Sequence, residues 1–103
     1  MNNEELKALL ETTGLKVAYR AFDEKQAPPL PYICFYETDT DNFFADGKVY
    51  SQIRVMQIEL YTRRKDSEIE DKVENALSSF CWNKTETYIE TEKCYQISYE
   101  LEV

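Results

Sequence analysis

From Tyr95 to Val103 the chain alternates without a break: Tyr95, Ile97, Tyr99, Leu101 and Val103 on one side, Gln96, Ser98, Glu100 and Glu102 on the other. Side chains of a strand point alternately to its two faces, so this segment reads as a strand with one buried and one solvated face. A sheet of such strands needs a cover on its apolar side. The sequence offers one in the segment after Asp66. Ile69, Val73, Ala76, Leu77 and Phe80 recur at i, i+4, i+7, i+8 and i+11, an apolar stripe down one side of a helix. Ser67 and Glu70 have the spacing of a capping box at its start, and Glu68 with Lys72 forms a favourable i, i+4 pair.

The rest of the chain fits the same plan. Leu6, Leu9 and Leu10 share one face of a short first helix. Asn2 suits its N-cap, Glu5 stands at the capping-box position, and Gly14 can end it. Strands are expected at Lys16–Phe22, at Tyr32–Thr38 and along Val49–Thr62. The segment from Ala21 to Pro31 reads as a loop, because Pro28, Pro29 and Pro31 lack the amide donors of a central strand. Asp39 to Gly47 reads as a polar loop closing on an Asp46–Gly47 reversal. In the long run Met56, Ile58 and Leu60 share a face while Ile53 and Val55 have the opposite parity, which predicts a bulge or a change of buried face at Val55–Met56. Two last strands turn near Glu92–Lys93. The order is α-β-β-β-α-β-β. The expected fold is α+β: a single domain spanning 1–103, a two-layer sandwich of two helices on a mostly antiparallel sheet of about four to five strands.

The bulk numbers narrow the function. The formal net charge is −8, and an acidic surface repels phosphate, so sequence-specific nucleic-acid binding is not expected. There is no histidine, the commonest general base and metal ligand. The only glycines are Gly14 and Gly47, so there is no phosphate-cradling loop. Cys34, Cys81 and Cys94 are odd in number and lack CxxC spacing, which suggests buried free thiols in a reducing compartment. The first residues hold no basic region and no apolar run of signal length, so export is not expected, and no apolar run is long enough to span a membrane. A helix followed by a strand meander and a second helix also occurs in metal-dependent nucleases, with Asp39, Asp41, Asp46 and Glu59 as imaginable magnesium ligands. The strand holding Glu59 continues Leu60–Tyr61 and lacks the lysine such a site requires. No catalytic residue, cofactor or metal is therefore expected.

Phe43 and Phe44 stand apart. They are adjacent in a polar segment, so in extended backbone they point opposite ways. Either the segment packs on its own fold or it packs on another molecule. The stretch Asn42, Phe43, Phe44, Asp46, Gly47 and Tyr50 is the candidate subunit or partner interface.

At these residues the sequence resembles a known family. NFFADGKVY, the strand ending IELYTRRKD, the helix IEDKVENAL and the hairpin KTETYIETEKCYQISYELEV together resemble small siphophage and prophage tail-completion proteins, variously tail terminators, head–tail joining proteins or minor capsid proteins. Phe44 departs from the pattern, which has a small or variable residue there. The resemblance implies a virion structural protein, assembled in the bacterial host cytoplasm as a ring, most often a hexamer, at the head-proximal end of the tail. The implied partners are further copies of itself, the tail-tube protein and the head–tail connector, with no membrane and with DNA at most passing through the ring. An acidic lining would let DNA slide by like-charge repulsion. The alternatives are another neck or tail-completion component, or a small monomeric binding module.

Overall fold

The computed structural model describes residues 1–23, 25–40, 43–45, 47–51 and 53–103. Along the chain run α1 (Asn3–Glu11), β1 (Lys16–Tyr19), β2 (Tyr32–Thr40), β3 (Phe43–Ala45), β4 (Lys48–Ser51), β5 (Arg54–Thr62), α2 (Ser67–Ala76), β6 (Trp82–Ile89) and β7 (Cys94–Glu102). The fold is α+β. Five strands form one sheet in the order β1-β2-β5-β7-β6, and β3 and β4 form a separate two-stranded sheet. Apart from that extra pair, the element order is the expected one.

Every pairing in the large sheet is antiparallel except β1 with β2. A parallel pair needs a long crossover, which the proline-rich Arg20–Pro31 segment supplies. β1 is shorter than expected. It stops at Tyr19 because Arg20 adopts a positive φ of 71°, where its amide donates to the Phe35 carbonyl at 2.7 Å. The Leu30–Pro31 bond is cis.

Both helices lie on one face of the large sheet. The core joins Leu6 and Leu10 of α1 and Val73 and Leu77 of α2 to Ile33, Phe35, Met56, Ile58, Leu60, Ile97, Tyr99 and Leu101 from the strands. The strand residues oppose one another in register: Ile33 with Leu60, Phe35 with Ile58, Leu60 with Ile97, Met56 with Leu101. Directly opposed residues share a face, so the alternation read in single strands becomes one continuous apolar surface. The Tyr95–Val103 pattern is realised, with Ile97, Tyr99 and Leu101 buried and Tyr95 and Val103 packed at the rim.

The capping of α1 is as the sequence implies: the Glu5 amide donates to Asn2 Oδ1 at 2.8 Å and the Asn2 amide to Glu5 Oε1 at 3.1 Å. That of α2 is not. Its N-cap is Asp66, whose carboxylate accepts the Ile69 amide at 3.2 Å, and Ser67 is already helical. Glu70 has another task, holding two lysines. The helix ends at Ala76, with Leu77 as C-cap, so Phe80 reaches the core from beyond it.

The run expected as one strand from Val49 to Thr62 is two. Its first part pairs with β3 and its second with β2 and β7, so the ladder partner changes while the residue chemistry does not. The irregularity expected at Val55–Met56 lies across the ladder. Glu37 opposes Met56 and Asp39 opposes Val55, which leaves Thr38 as the extra residue in β2. The even-numbered face of β5 stays buried from Met56 to Thr62.

Candidate interaction surfaces

The helix-free face of the sheet carries an organised polar centre. Glu59 opposes Cys34 on β2 and Ser98 on β7, in the middle of the sheet, and is only 9% exposed. Tyr36 and Tyr61 stand beside it. The Tyr36 hydroxyl donates to Glu59 Oε1 at 2.6 Å, and the Tyr61 hydroxyl donates to Oε2 at 2.5 Å. Gln96 Nε2 donates to the Tyr61 oxygen at 3.0 Å. The Arg20 guanidinium lies over the Tyr36 ring, 4.8 Å from its centre. A buried carboxylate must be compensated, and here two phenols compensate it, each in a charge-assisted bond.

The crossover folds back over this face. The Phe22 ring meets Tyr32 edge-on at 5.0 Å, and Tyr32 in turn packs on Tyr61 at 5.3 Å. Between Pro28, Leu30, Tyr32, Tyr61 and Cys94 a cleft of about 330 Å³ remains. The hydrogen bond to Glu59, then burial, raises the Tyr36 hydroxyl's pKa; burial, then the same carboxylate, raises that of Tyr61. Burial, reinforced by the charge of Glu59, pushes the Cys34 thiol up to about 11, so it is protonated at neutral pH and a poor nucleophile. The centre keeps its protons in place and fixes two aromatic rings.

The expected interface residues fall in and around the β3–β4 hairpin. Phe43 and Phe44 are in β3, Tyr50 is in β4, and Gly47 occupies the turn with φ of 73°. Asn42 and Asp46 lie outside the described residues. Phe43 opposes Ser51 and Phe44 opposes Val49, with a register shift between the two phenylalanines. The segment expected as a polar loop closing on a reversal at Asp46–Gly47 is thus a bulged hairpin, with Gly47 at positive φ, between the end of β2 and the start of β5. Of the imagined magnesium ligands, Asp39 is exposed in β2 and accepts the Thr40 amide at 2.8 Å, while Glu59 is held by the tyrosines. Asp41 and Asp46 lie outside the described residues. Among the described residues, no three acidic or thiol groups converge. Of the three thiols expected to be buried, Cys34 and Cys94 are, while Cys81, just before β6, is exposed.

The two edges of the large sheet differ. β1 is four residues long. β6 is eight residues long, with every residue from Asn83 to Tyr88 exposed. Neither the Glu59 centre nor the β6 edge follows from periodicity, because both depend on which strands lie side by side. The odd parity of Tyr61 and Glu59, opposite to the apolar face, is the one sign of the former in the sequence.

Comparison with models of known protein families and with characterised proteins gives no match.

Proposed function

We propose that the protein is a structural subunit of a siphophage-type tail, a tail terminator or head–tail joining protein that assembles as a ring. The observation that carries this reading is the β3–β4 hairpin. Among the described residues it forms a two-stranded sheet separate from the five-stranded one, on the candidate interface segment. The molecule is long, 49 × 28 × 25 Å, with a radius of gyration of 14.9 Å against about 13 Å for a compact chain of this length. An isolated two-stranded ribbon is marginal in water, so such a hairpin gains by packing on a further surface, and we take that surface to be another molecule. A head-to-tail contact closes into a ring where its rotation is a whole fraction of a turn, and runs on as a filament otherwise. The family resemblance supplies the identity of the assembly; the hairpin supplies a means of contact.

Electron microscopy of particles produced without the protein tests the reading. Tails of uncontrolled length, or tails and heads that fail to join, are the expected outcome. Normal, infectious particles would overturn it.

A further inference from the structure

We propose that a second copy of this chain docks on the β6 edge, pairing β6 with β6 antiparallel about a two-fold axis through Thr85. This goes beyond the ring reading and does not rest on it: a two-fold contact closes on itself, whereas a ring needs a head-to-tail one.

An open sheet edge invites another strand, and folds usually blunt it with brevity, proline, a bulge or charged side chains. β1 is blunted, being four residues long and ended by the positive φ of Arg20. Of these devices β6 has only charge, in Lys84 and Glu86, which repels a strand that does not match it and admits one that does. It runs Trp82–Ile89 without proline and pairs with β7 in unbroken register.

Its sequence is also complementary to itself. A two-fold pairing that keeps both sheets facing the same way must place its axis through a residue of the strand. With the axis at Thr85, Lys84 faces Glu86 of the second copy, Asn83 faces Thr87, and Trp82 faces Tyr88. Each contact occurs twice. Moving the axis by one residue sets Lys84 against its own copy in one direction and Glu86 against its own copy in the other. Opposite charges directly across a ladder stabilise it, and like charges destabilise it. The register at Thr85 is therefore selected over both neighbours.

The surroundings extend the match. Lys65 binds Glu86 at 2.6 Å, and Lys84 binds Glu70 at 2.7 Å and Glu74 at 2.8 Å. Placing Glu86 beside the second copy's Lys84 joins these pairs into one row of alternating charge. Trp82 already meets Tyr99 edge-on at 5.2 Å, and Tyr88 meets Tyr95 at 5.0 Å. Docking continues both aromatic stacks across the axis and covers Tyr88, which is 43% exposed.

The test uses the full chain with the exposed native thiol removed by Cys81→Ser. In that background Thr85→Cys brings two thiols face to face, with Cα atoms inside the range a disulfide spans. Thr87→Cys leaves them about 13 Å apart along the strands. Under mild oxidation Thr85→Cys is expected to give at least about tenfold more disulfide-linked dimer than Thr87→Cys. Light scattering of the parent is expected to read two chains or an even multiple. Glu86→Lys, which sets like charges opposite each other twice, is expected to raise the dissociation constant about tenfold. A monomer at the concentrations used for oxidation would overturn the proposal. So would equal crosslinking of both cysteine variants, or a ring in which Thr85→Cys does not crosslink.

Discussion

The smallest unit with a distinctive physical consequence is Glu59. Both of its carboxylate oxygens accept from phenols, and the side chain is nearly buried. Removing it leaves two hydroxyls without their acceptor. Glu59→Ala is expected to destabilise the fold by about 1–3 kcal/mol, measured by urea unfolding. Adding Tyr36→Phe and Tyr61→Phe to that variant should recover part of the loss, since the stranded hydroxyls are then gone. The same bond predicts a spectroscopic change. The carboxylate favours the neutral phenol, so the Tyr36 hydroxyl, raised chiefly by this hydrogen bond, should ionise at lower pH in Glu59→Ala. An unchanged ultraviolet titration of the tyrosines would show that burial alone holds the phenols protonated.

At the scale of elements, the two helix starts separate pattern from geometry. Asn2 and Glu5 satisfy the capping-box spacing and form it. Ser67 and Glu70 satisfy the same spacing and do not, because Asp66 takes the cap while Glu70 is drawn to Lys65 and Lys84. Asp66→Ala is therefore expected to lose about 1 kcal/mol, and Ser67→Ala close to nothing, by thermal or denaturant melts. The reverse order would return the cap to Ser67. This contrast also marks what could be read in advance. Elements whose signal is a period, such as the Tyr95–Val103 strand and the Ile69–Val73–Leu77 stripe, are legible because burial enforces the period. The division of Val49–Thr62 is not, since β-forming residues run through a change of partner. The Glu59 centre is less legible still: Tyr36 and Glu59 meet only through the β2–β5 register, which the helix-side core sets.

Across the whole molecule, one carboxylate fastens the helical layer to the sheet and to the connection between them. Glu70 of α2, its side chain only 4% exposed, binds Lys65 before the helix at 2.8 Å and Lys84 of β6 at 2.7 Å. Burial pushes its pKa up, but the hydrogen bonds and charges of the two lysines outweigh it and hold the carboxyl below the ordinary value. A depressed carboxyl adds stability that is complete above its unfolded pKa, about 4.3, and is lost as the pH falls through the folded value. Between about pH 5 and pH 3 this chain should therefore lose stability by more than its Glu70→Gln variant does. At pH 7 the substitution should cost about 1–2 kcal/mol. That is less than the roughly 3–5 kcal/mol for breaking a fully buried pair, since Lys65 and Lys84 are 45% and 32% exposed and are rehydrated once released. Lys84 and Glu86 also lie on the β6 edge, so a loosened α2 disturbs the row of charge along it. Chemical denaturation at a series of pH values reads the effect directly. Parallel curves for the parent and Glu70→Gln would mean that the carboxyl titrates alike in the folded and unfolded chains, and that the clasp between helix and sheet rests on packing alone.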